Sequence, residues 1–97
     1  MRTYEADLKT RIRKDLTGRG IWWTNIANGV LGSIPGDPDI IFCHEGHMVA
    51  IEGKAPQGSK RVLQGERRDL ILACGGSYYF IRNWEQYERM LKDEGIE

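Results

Sequence analysis

Apolar residues recur at helical spacing near the start of the chain. Leu8, Ile12 and Leu16 stand four residues apart, which places their side chains on one face of an α-helix. Because a glycine-containing segment follows at residues 17–20, we predict that a first helix covers residues 4–16. Glu5 falls within the apolar face of this helix. An acid in a first turn suits the helix dipole, but an acid directed at a core needs a partner.

The next apolar segments have the composition of β-strands. Aromatic and β-branched residues at 21–26 predict a first strand. Two further apolar runs, at residues 40–44 and 47–51, flank the dipeptide Glu45-Gly46. An acidic residue followed by glycine between two such runs is typical of a two-residue hairpin turn. The sequence therefore predicts a β-hairpin that follows the first strand.

The second half of the chain predicts helix, strand and helix. Residues 60–74 form a helical pattern that a double glycine ends, and residues 77–82 form a strand pattern. The inward residues of that helix are predicted to be Leu63, Leu70 and Cys74. Asn83 and Gln86 provide capping residues for a last helix. Its predicted apolar face consists of Trp84, Tyr87 and Leu91. The expected fold is α/β, with an αβββαβ order, a mixed sheet flanked by helices and a C-terminal helix.

The hairpin brings two acidic residues together. Counting outward from the turn pairs His44 with His47 and Asp39 with Glu52. Like charges that face each other directly are destabilising unless a positive charge lies between them, and oxygen ligands suit a hard cation such as Mg²⁺. Lys54 lies on the same strand face as Glu52, where it can hold a phosphate or orient a water. A bulge would shift this register, and separate solvated charges are the simpler alternative for each residue alone.

These residues resemble the signature of a known nuclease superfamily. Pro38-Asp39, a strand's length of sequence and then Glu52-Gly53-Lys54 resemble the PD-(D/E)xK motif. The Gly36-Asp37-Pro38-Asp39 segment and a following helix with Gln64 make the chain similar to the VRR-NUC branch, including the small stand-alone nucleases of phages. Gly53 departs from the pattern, because the family often has a larger apolar residue there. The resemblance implies a restriction-endonuclease-like core in a single domain over residues 1–97.

The resemblance also implies the roles of particular residues. A Mg²⁺ or Mn²⁺ ion is expected to bind the following groups: the carboxylates of Asp39 and Glu52, the carbonyl of Gly53, and Glu5, directly or through water. The expected catalytic residues are Asp39, Glu52, Lys54 and Gln64. The last of these lies on the predicted second helix, where Lys60 and Arg68 share its face. We expect these two cations to bind the phosphate backbone of DNA.

The substrate follows from the resemblance and from charge. The chain has 14 Lys and Arg and 14 Asp and Glu residues, with a pI near 6.7, so no global positive field attracts arbitrary duplex DNA. The stand-alone relatives act as homodimers on four-way (Holliday) junctions, and a two-fold dimer suits paired incisions. The expected function is thus a structure-selective endonuclease. The alternatives are a nuclease of the same fold that acts on flaps, nicked or sequence-specific duplex DNA, or a non-catalytic nucleic-acid-binding module.

Composition adds an expected location. The 97 residues are 40% hydrophobic and include no signal peptide or membrane-length apolar run, so we expect a cytoplasmic protein with no membrane partner. The resemblance to the phage nucleases implies a phage-encoded protein that acts in the host cell. Cys43 and Cys74 lack a disulfide framework spacing. Cys43 is expected to be a small buried residue. His44 and His47 are expected to face solvent at the turn, because four closed zinc ligands are not evident.

Overall fold

The computed structural model describes residues 4–26, 38–53 and 62–97. Over these ranges the helices and strands follow the order α1, β1, β2, β3, α2, β4, α3. The helices are α1 (Tyr4–Gly18), α2 (Val62–Ala73) and α3 (Trp84–Asp93). The strands are β1 (Trp23–Asn25), β2 (Ile40–His44), β3 (His47–Gly53) and β4 (Ser77–Ile81). This is a small α/β domain, and the predicted order of elements is confirmed.

The four strands form one mixed sheet in the order β1-β2-β3-β4. Strands β1, β2 and β3 are antiparallel neighbours, while β4 runs parallel to β3. The β2–β3 turn is tight because Glu45 and Gly46 both have positive φ, 51° and 78°, as a two-residue type I′ turn requires. A parallel neighbour instead needs a crossover, and α2 lies within the connection between β3 and β4.

The strand pairing predicted by counting outward from the turn agrees with the structure as far as the pair Ile40 and Ile51. Five pairs are formed, from His44 with His47 to Ile40 with Ile51. The predicted direct pairing of Asp39 with Glu52 is wrong. Asp39 lies in a bend before β2, and its backbone N–H donates to the Ile51 carbonyl at 3.0 Å. This bond is offset by one residue from the ladder, so the acids are not direct cross-strand neighbours.

The main core lies between one face of the sheet and the helices α1 and α3. Alternate residues of β2 and of the middle of β3 are buried in this core, including Phe42 and Ile51. The predicted stripe of α1 is buried as expected: Leu8, Ile12 and Leu16. Helix α3 buries three residues: Tyr87, Met90 and Leu91. Its predicted cap is confirmed, because the Asn83 side chain accepts a hydrogen bond from the Gln86 backbone N–H at 2.9 Å.

The face of the sheet on which α2 packs is less well covered by the described residues. Leu70 is 55% exposed and Cys74 is also exposed, so their predicted inward orientation is wrong. Among the described residues of α2, Ile71 faces the sheet, and its side chain and that of Met48 both lie beside Gly76. One residue along a helix rotates a side chain by about 100°, which turns Leu70 outward. Cys43, expected to be buried, is exposed on the same face.

Several predicted features lie outside the described residues. They include Gly36-Asp37 of the resembled motif segment and the two lysines Lys54 and Lys60. For residues 62–64 the helical backbone is described but the side chains are not. The predicted orientations of the Leu63 and Gln64 side chains therefore also lie outside the described part of the chain. Within the described ranges, no helix combines the length and the apolar character that crossing a bilayer requires.

Candidate functional site

Asp39 is held firmly at the open end of the β2–β3 hairpin. Its carboxylate Oδ2 accepts a hydrogen bond from the Gly53 backbone N–H at 2.9 Å. Its backbone N–H donates to Ile51, and its carbonyl accepts from Ile26 N–H at 2.9 Å. A short polar side chain that bonds a nearby backbone group competes with the regular ladder. The carboxylate therefore takes the place of a strand partner for Gly53, and its position is fixed by β3.

A lysine on α1 joins Asp39 to the acid that the sequence placed on the apolar stripe. The Lys9 Nζ lies 3.5 Å from Asp39 Oδ2 and 3.6 Å from Glu5 Oε1. The side chains of Glu5, Lys9 and Asp39 are 37%, 20% and 15% exposed, respectively. We call these three residues the open-end cluster. Two carboxylates share one ammonium group in it, so its formal charge is negative.

Gly53 is required by the path of the Lys9 side chain. A Cβ at residue 53 would lie 2.8 Å from Lys9 Cγ and 3.2 Å from its Cδ, closer than these carbon atoms can pack without a shift. The aliphatic stem of the lysine thus crosses β3 where a side chain would otherwise stand, and its charged end continues to Asp39. This contact explains why the residue between Glu52 and Lys54 is glycine.

Glu52 reaches the same end of β3 from the other face of the sheet. Ile51 belongs to the core on the α1 side, and successive side chains on a strand alternate, so Glu52 projects to the face of α2. It is 4% exposed and stands in register with Phe80 of β4. The Asp39 carboxylate bonds a strand N–H and lies near the level of the sheet. Through Lys9 it is connected to Glu5 on the α1 side, whereas Glu52 approaches this end of β3 from the α2 side.

The donors at this end of the hairpin fit a hard divalent cation in type and charge. Asp39 and Glu5 present carboxylate oxygens to one shared positive group, and carboxylates are the protein ligands that Mg²⁺ prefers. The fit concerns these two residues and the neighbouring Glu52. Within residues 4–26, 38–53 and 62–97, no three His, Cys, Asp or Glu side chains already form a group that could hold a metal ion.

The structure describes the remaining predicted site residues to different extents. Lys54 and Lys60 lie outside the described residues, and Gln64 is placed in the first turn of α2 by its backbone alone. Arg68 lies on the same helix with its side chain 35% exposed. Its guanidinium contacts Asp69 Oδ1 at 3.1 Å. Such an exposed pair is weak, so Arg68 is accessible to a phosphate.

Lys9 is the residue that the sequence analysis missed. The signal was present, because Glu5 and Lys9 are separated by four residues, a spacing at which an acid and a base contact each other on a helix. That spacing would have indicated an ordinary surface ion pair. The contact with Asp39 requires α1 to pack across the end of β3, which no local pattern in the sequence reveals.

A second polar cluster occupies the turn end of β3. His47 Nε2 lies 2.7 Å from Ser77 Oγ and 3.5 Å from Glu94 Oε1, while the Tyr79 hydroxyl donates to the other oxygen of Glu94. We call these four residues the turn-end cluster. Burial, followed by the hydrogen bond to Glu94 and the charge of that residue, raises the pKa of Tyr79 above its usual range.

The turn-end cluster differs from a catalytic triad and from the expectation for these histidines. The hydroxyl of Ser77 and the carboxylate of Glu94 approach the same ring nitrogen of His47, whereas a triad needs its nucleophile and its orienting acid on different nitrogens. The His47 side chain is 41% exposed and that of His44 is 24% exposed. Both side chains reach solvent in part, as expected, but His47 also connects β3 to β4 and to the end of α3.

No protein-family model and no curated protein matches this chain. The fold class is that of a small α/β domain with a mixed sheet. A more specific assignment depends on the residues at the open end of the hairpin and on their resemblance to the nuclease motif.

Proposed function

We propose that this protein is a divalent-metal-dependent DNA endonuclease of the VRR-NUC branch of the PD-(D/E)xK superfamily, with the restriction-endonuclease-like core of that group. One observation carries the proposal. The carboxylates of Asp39 and Glu5, from separate elements, converge on a single positive charge beside Gly53. Glu52 and Gly53, the described part of the acid-x-lysine sequence Glu52-Gly53-Lys54, end strand β3 at this same point.

In the proposed site, Asp39, Glu52 and the Gly53 carbonyl hold a Mg²⁺ or Mn²⁺ ion, and Glu5 contributes directly or through water. When bound, such an ion supplies a Lewis acid for the scissile phosphate and lowers the pKa of a water. The hydrogen bond from Gly53 N–H keeps Asp39 oriented. An extended residue directs its N–H and C=O to the same neighbouring strand, so the Gly53 carbonyl faces the side on which Asp39 lies.

Lys54 and Gln64 complete the proposed catalytic residues. Lys54 stands two residues after Glu52, as in the resembled motif. In the proposed site its ammonium orients the attacking water or neutralises the charge that develops on the phosphate. Gln64 begins the helix that follows and orients water or phosphate through its amide. Arg68, one helical turn further on, binds the DNA backbone together with Lys60.

The proposed substrate is branched DNA, cut by a homodimer. Equal numbers of acidic and basic residues give the chain no general attraction for duplex DNA. Recognition of a four-way junction by two copies supplies contacts from both subunits and two sites for paired cuts. This part of the proposal is supported by the family resemblance alone.

Cleavage of labelled substrates tests the proposal directly. The protein is incubated with Mg²⁺, Mn²⁺ or EDTA and with a four-way junction, a flap, a nicked duplex or linear duplex DNA. We expect metal-dependent cleavage with preference for the junction, and a loss of at least about 100-fold in Asp39→Asn, Glu52→Gln and Lys54→Met. Glu45→Gln is the matched control, because it removes one carboxylate that is 85% exposed at the other end of the same hairpin.

Each other outcome rejects a defined part of the proposal. Equal cleavage by the wild type and the three site variants would refute the site. Absence of cleavage on every substrate would favour a non-catalytic binding module, and preference for the flap or a duplex would reject the junction. Light scattering coupled to size-exclusion chromatography measures the mass in solution. A monomer at assay concentration would remove the basis for symmetric cutting.

A further inference from the structure

The ammonium group of Lys9 stands where the two carboxylates of the open-end cluster converge. It is 3.5 Å from one and 3.6 Å from the other. Without it, Asp39 and Glu5 would place two negative charges near each other at a partly buried position, which is unfavourable. The lysine thus supplies in the metal-free protein the compensation that a divalent ion is proposed to supply in the active protein.

We infer that Lys9 is an internal counter-ion of the proposed metal site, which a divalent cation must displace before it can bind. The inference rests on the proposed function, because it concerns the same carboxylates. An ammonium and a divalent ion repel each other strongly at such distances. Asp39 and Glu5 therefore hold one of the two at a time, and Lys9 sets the affinity of the site for metal by competition.

The geometry of the Lys9 side chain permits this exchange. Its Cγ and Cδ atoms pack over the backbone of Gly53, so the base of the side chain is held in place. Its charged end lies at a partly exposed position, since the whole side chain is 20% exposed. A lysine has rotatable bonds beyond Cδ, and its ammonium can turn into water while the stem stays on β3. The helix and the strand need not move.

Competition has a measurable consequence for metal affinity. If Lys9 occupies the cation position, removal of its charge leaves both carboxylates available and raises affinity. If Lys9 only orders the carboxylates for the metal, the same change lowers affinity. The sign of the effect therefore distinguishes a competing counter-ion from a supporting side chain.

Calorimetric titration with Mn²⁺ measures this sign without any nuclease assay. The variants are Lys9→Met, which keeps the aliphatic stem over Gly53, and Lys9→Gln as a second neutral replacement. We expect each to bind Mn²⁺ about tenfold more tightly than the wild type. Lys14→Met is the matched control, because Lys14 is an exposed lysine on the same helix. It removes the same charge from the protein and should leave the affinity within about twofold.

Thermal unfolding provides an independent second readout. In EDTA, Lys9→Met should unfold at a lower temperature than the wild type, because its carboxylates have lost their counter-ion. In saturating Mn²⁺ the order should reverse or the difference should close, since a bound ion stabilises the folded state by an amount that grows with the logarithm of its affinity. Circular dichroism in Mn²⁺ confirms that both neutral variants are folded before affinities are compared.

The outcomes separate this inference from the proposed function. Wild-type binding of Mn²⁺ that Asp39→Asn abolishes, with equal or weaker binding by both neutral Lys9 variants, would overturn the counter-ion role and leave the metal site intact. Binding that is insensitive to Asp39→Asn, or no binding by the wild type and the Lys9 variants, would overturn the metal site and the inference together.

Discussion

The two ends of β3 carry polar clusters of opposite character. At the turn end, the carboxylate of Glu94 accepts a hydrogen bond from the Tyr79 hydroxyl and lies beside His47. At the open end, two carboxylates share the single ammonium of Lys9. The first cluster gives its single carboxylate a hydroxyl donor and an imidazole partner, while the second has more negative charge than its lysine neutralises. The difference indicates that the turn end serves the structure and that the open end is suited to a cation.

Burial leads to the same distinction. The Glu94 side chain is 10% exposed, so its hydrogen bonds contribute to stability and their removal leaves buried groups without partners. The ion pairs of Lys9 are 3.5 and 3.6 Å long, and one of them involves a Glu5 side chain that is 37% exposed. An exposed pair of this kind contributes little to stability. We therefore expect changes at the turn end to act mainly on folding, and changes to the carboxylates at the open end to act mainly on metal binding and cleavage.

The largest expected effect is that of Asp39→Asn on cleavage. Asparagine keeps an acceptor for Gly53 N–H but removes the charge, so activity should fall at least about 100-fold, which corresponds to roughly 2.7 kcal/mol. The free energy of unfolding should change by less than about 1 kcal/mol. Cleavage rates at saturating Mg²⁺ and urea unfolding in EDTA measure the two quantities. A loss of activity that only parallels a loss of folded protein would contradict the distinction between the ends.

Glu94→Gln should produce the reverse pattern. The substitution weakens the hydrogen bond from Tyr79 and removes the charge beside His47. We expect the free energy of unfolding to fall by about 1–3 kcal/mol, with cleavage by the folded protein unchanged. Glu88→Gln, an exposed position on α3, is the control for charge and should change stability by less than about 0.5 kcal/mol. A loss of activity in folded Glu94→Gln would give the turn end a role in catalysis.

Gly53→Ala tests whether the Lys9 side chain is the reason that residue 53 is glycine. The added Cβ would lie 2.8 Å from Lys9 Cγ, so we expect a loss of about 1–2 kcal/mol in stability. In a Lys9→Ala background the clash is absent and the same substitution should cost less than about 0.5 kcal/mol. Gly65→Ala is the control, because an added Cβ there meets no described atom within 4 Å. An equal loss of stability from Gly53→Ala in both backgrounds would show that Lys9 is not the reason that residue 53 is glycine.

Much of the fold was predictable because its signals are local. The Glu45-Gly46 turn fixed five strand pairs by counting, and the capping residues around Asn83 placed the start of α3. The face of α2 was not predictable, since Leu70, Ile71 and Leu72 are consecutive and apolar and do not define one side of a helix.

The candidate site was predictable only in part. The spacing of the acids indicated Asp39 and Glu52, and the apolar stripe indicated Glu5. The register change at Asp39 was not predictable, because a side chain bonds Gly53 N–H in place of the ladder. Lys9 was missed because its contact with Asp39 joins residues that are distant in sequence.

The smallest expected effect is the change in stability at alkaline pH that comes from two tyrosines, Tyr79 in the turn-end cluster and Tyr87 on α3. Burial and Glu94 raise the pKa of Tyr79, and burial together with the hydrogen bond to Asp15 raises that of Tyr87. A free tyrosine titrates near pH 10. Each phenol therefore loses its proton more easily in the unfolded chain than in the folded one. Their contribution to stability is complete below about pH 10 and declines as the pH rises above it.

Tyr79→Phe should make this decline less steep. One titrating phenol changes the free energy of unfolding by at most about 1.4 kcal/mol per pH unit, and partial exposure of Tyr79 reduces this to a few tenths. Urea unfolding between about pH 8 and pH 11 measures the slope in the wild type, Tyr79→Phe, Tyr87→Phe and the double variant. The double variant should have the shallowest slope. A slope in Tyr79→Phe equal to that of the wild type would show that the bond to Glu94 does not hold the phenol in its neutral form, and the turn end would lose its assignment as a stabilising cluster.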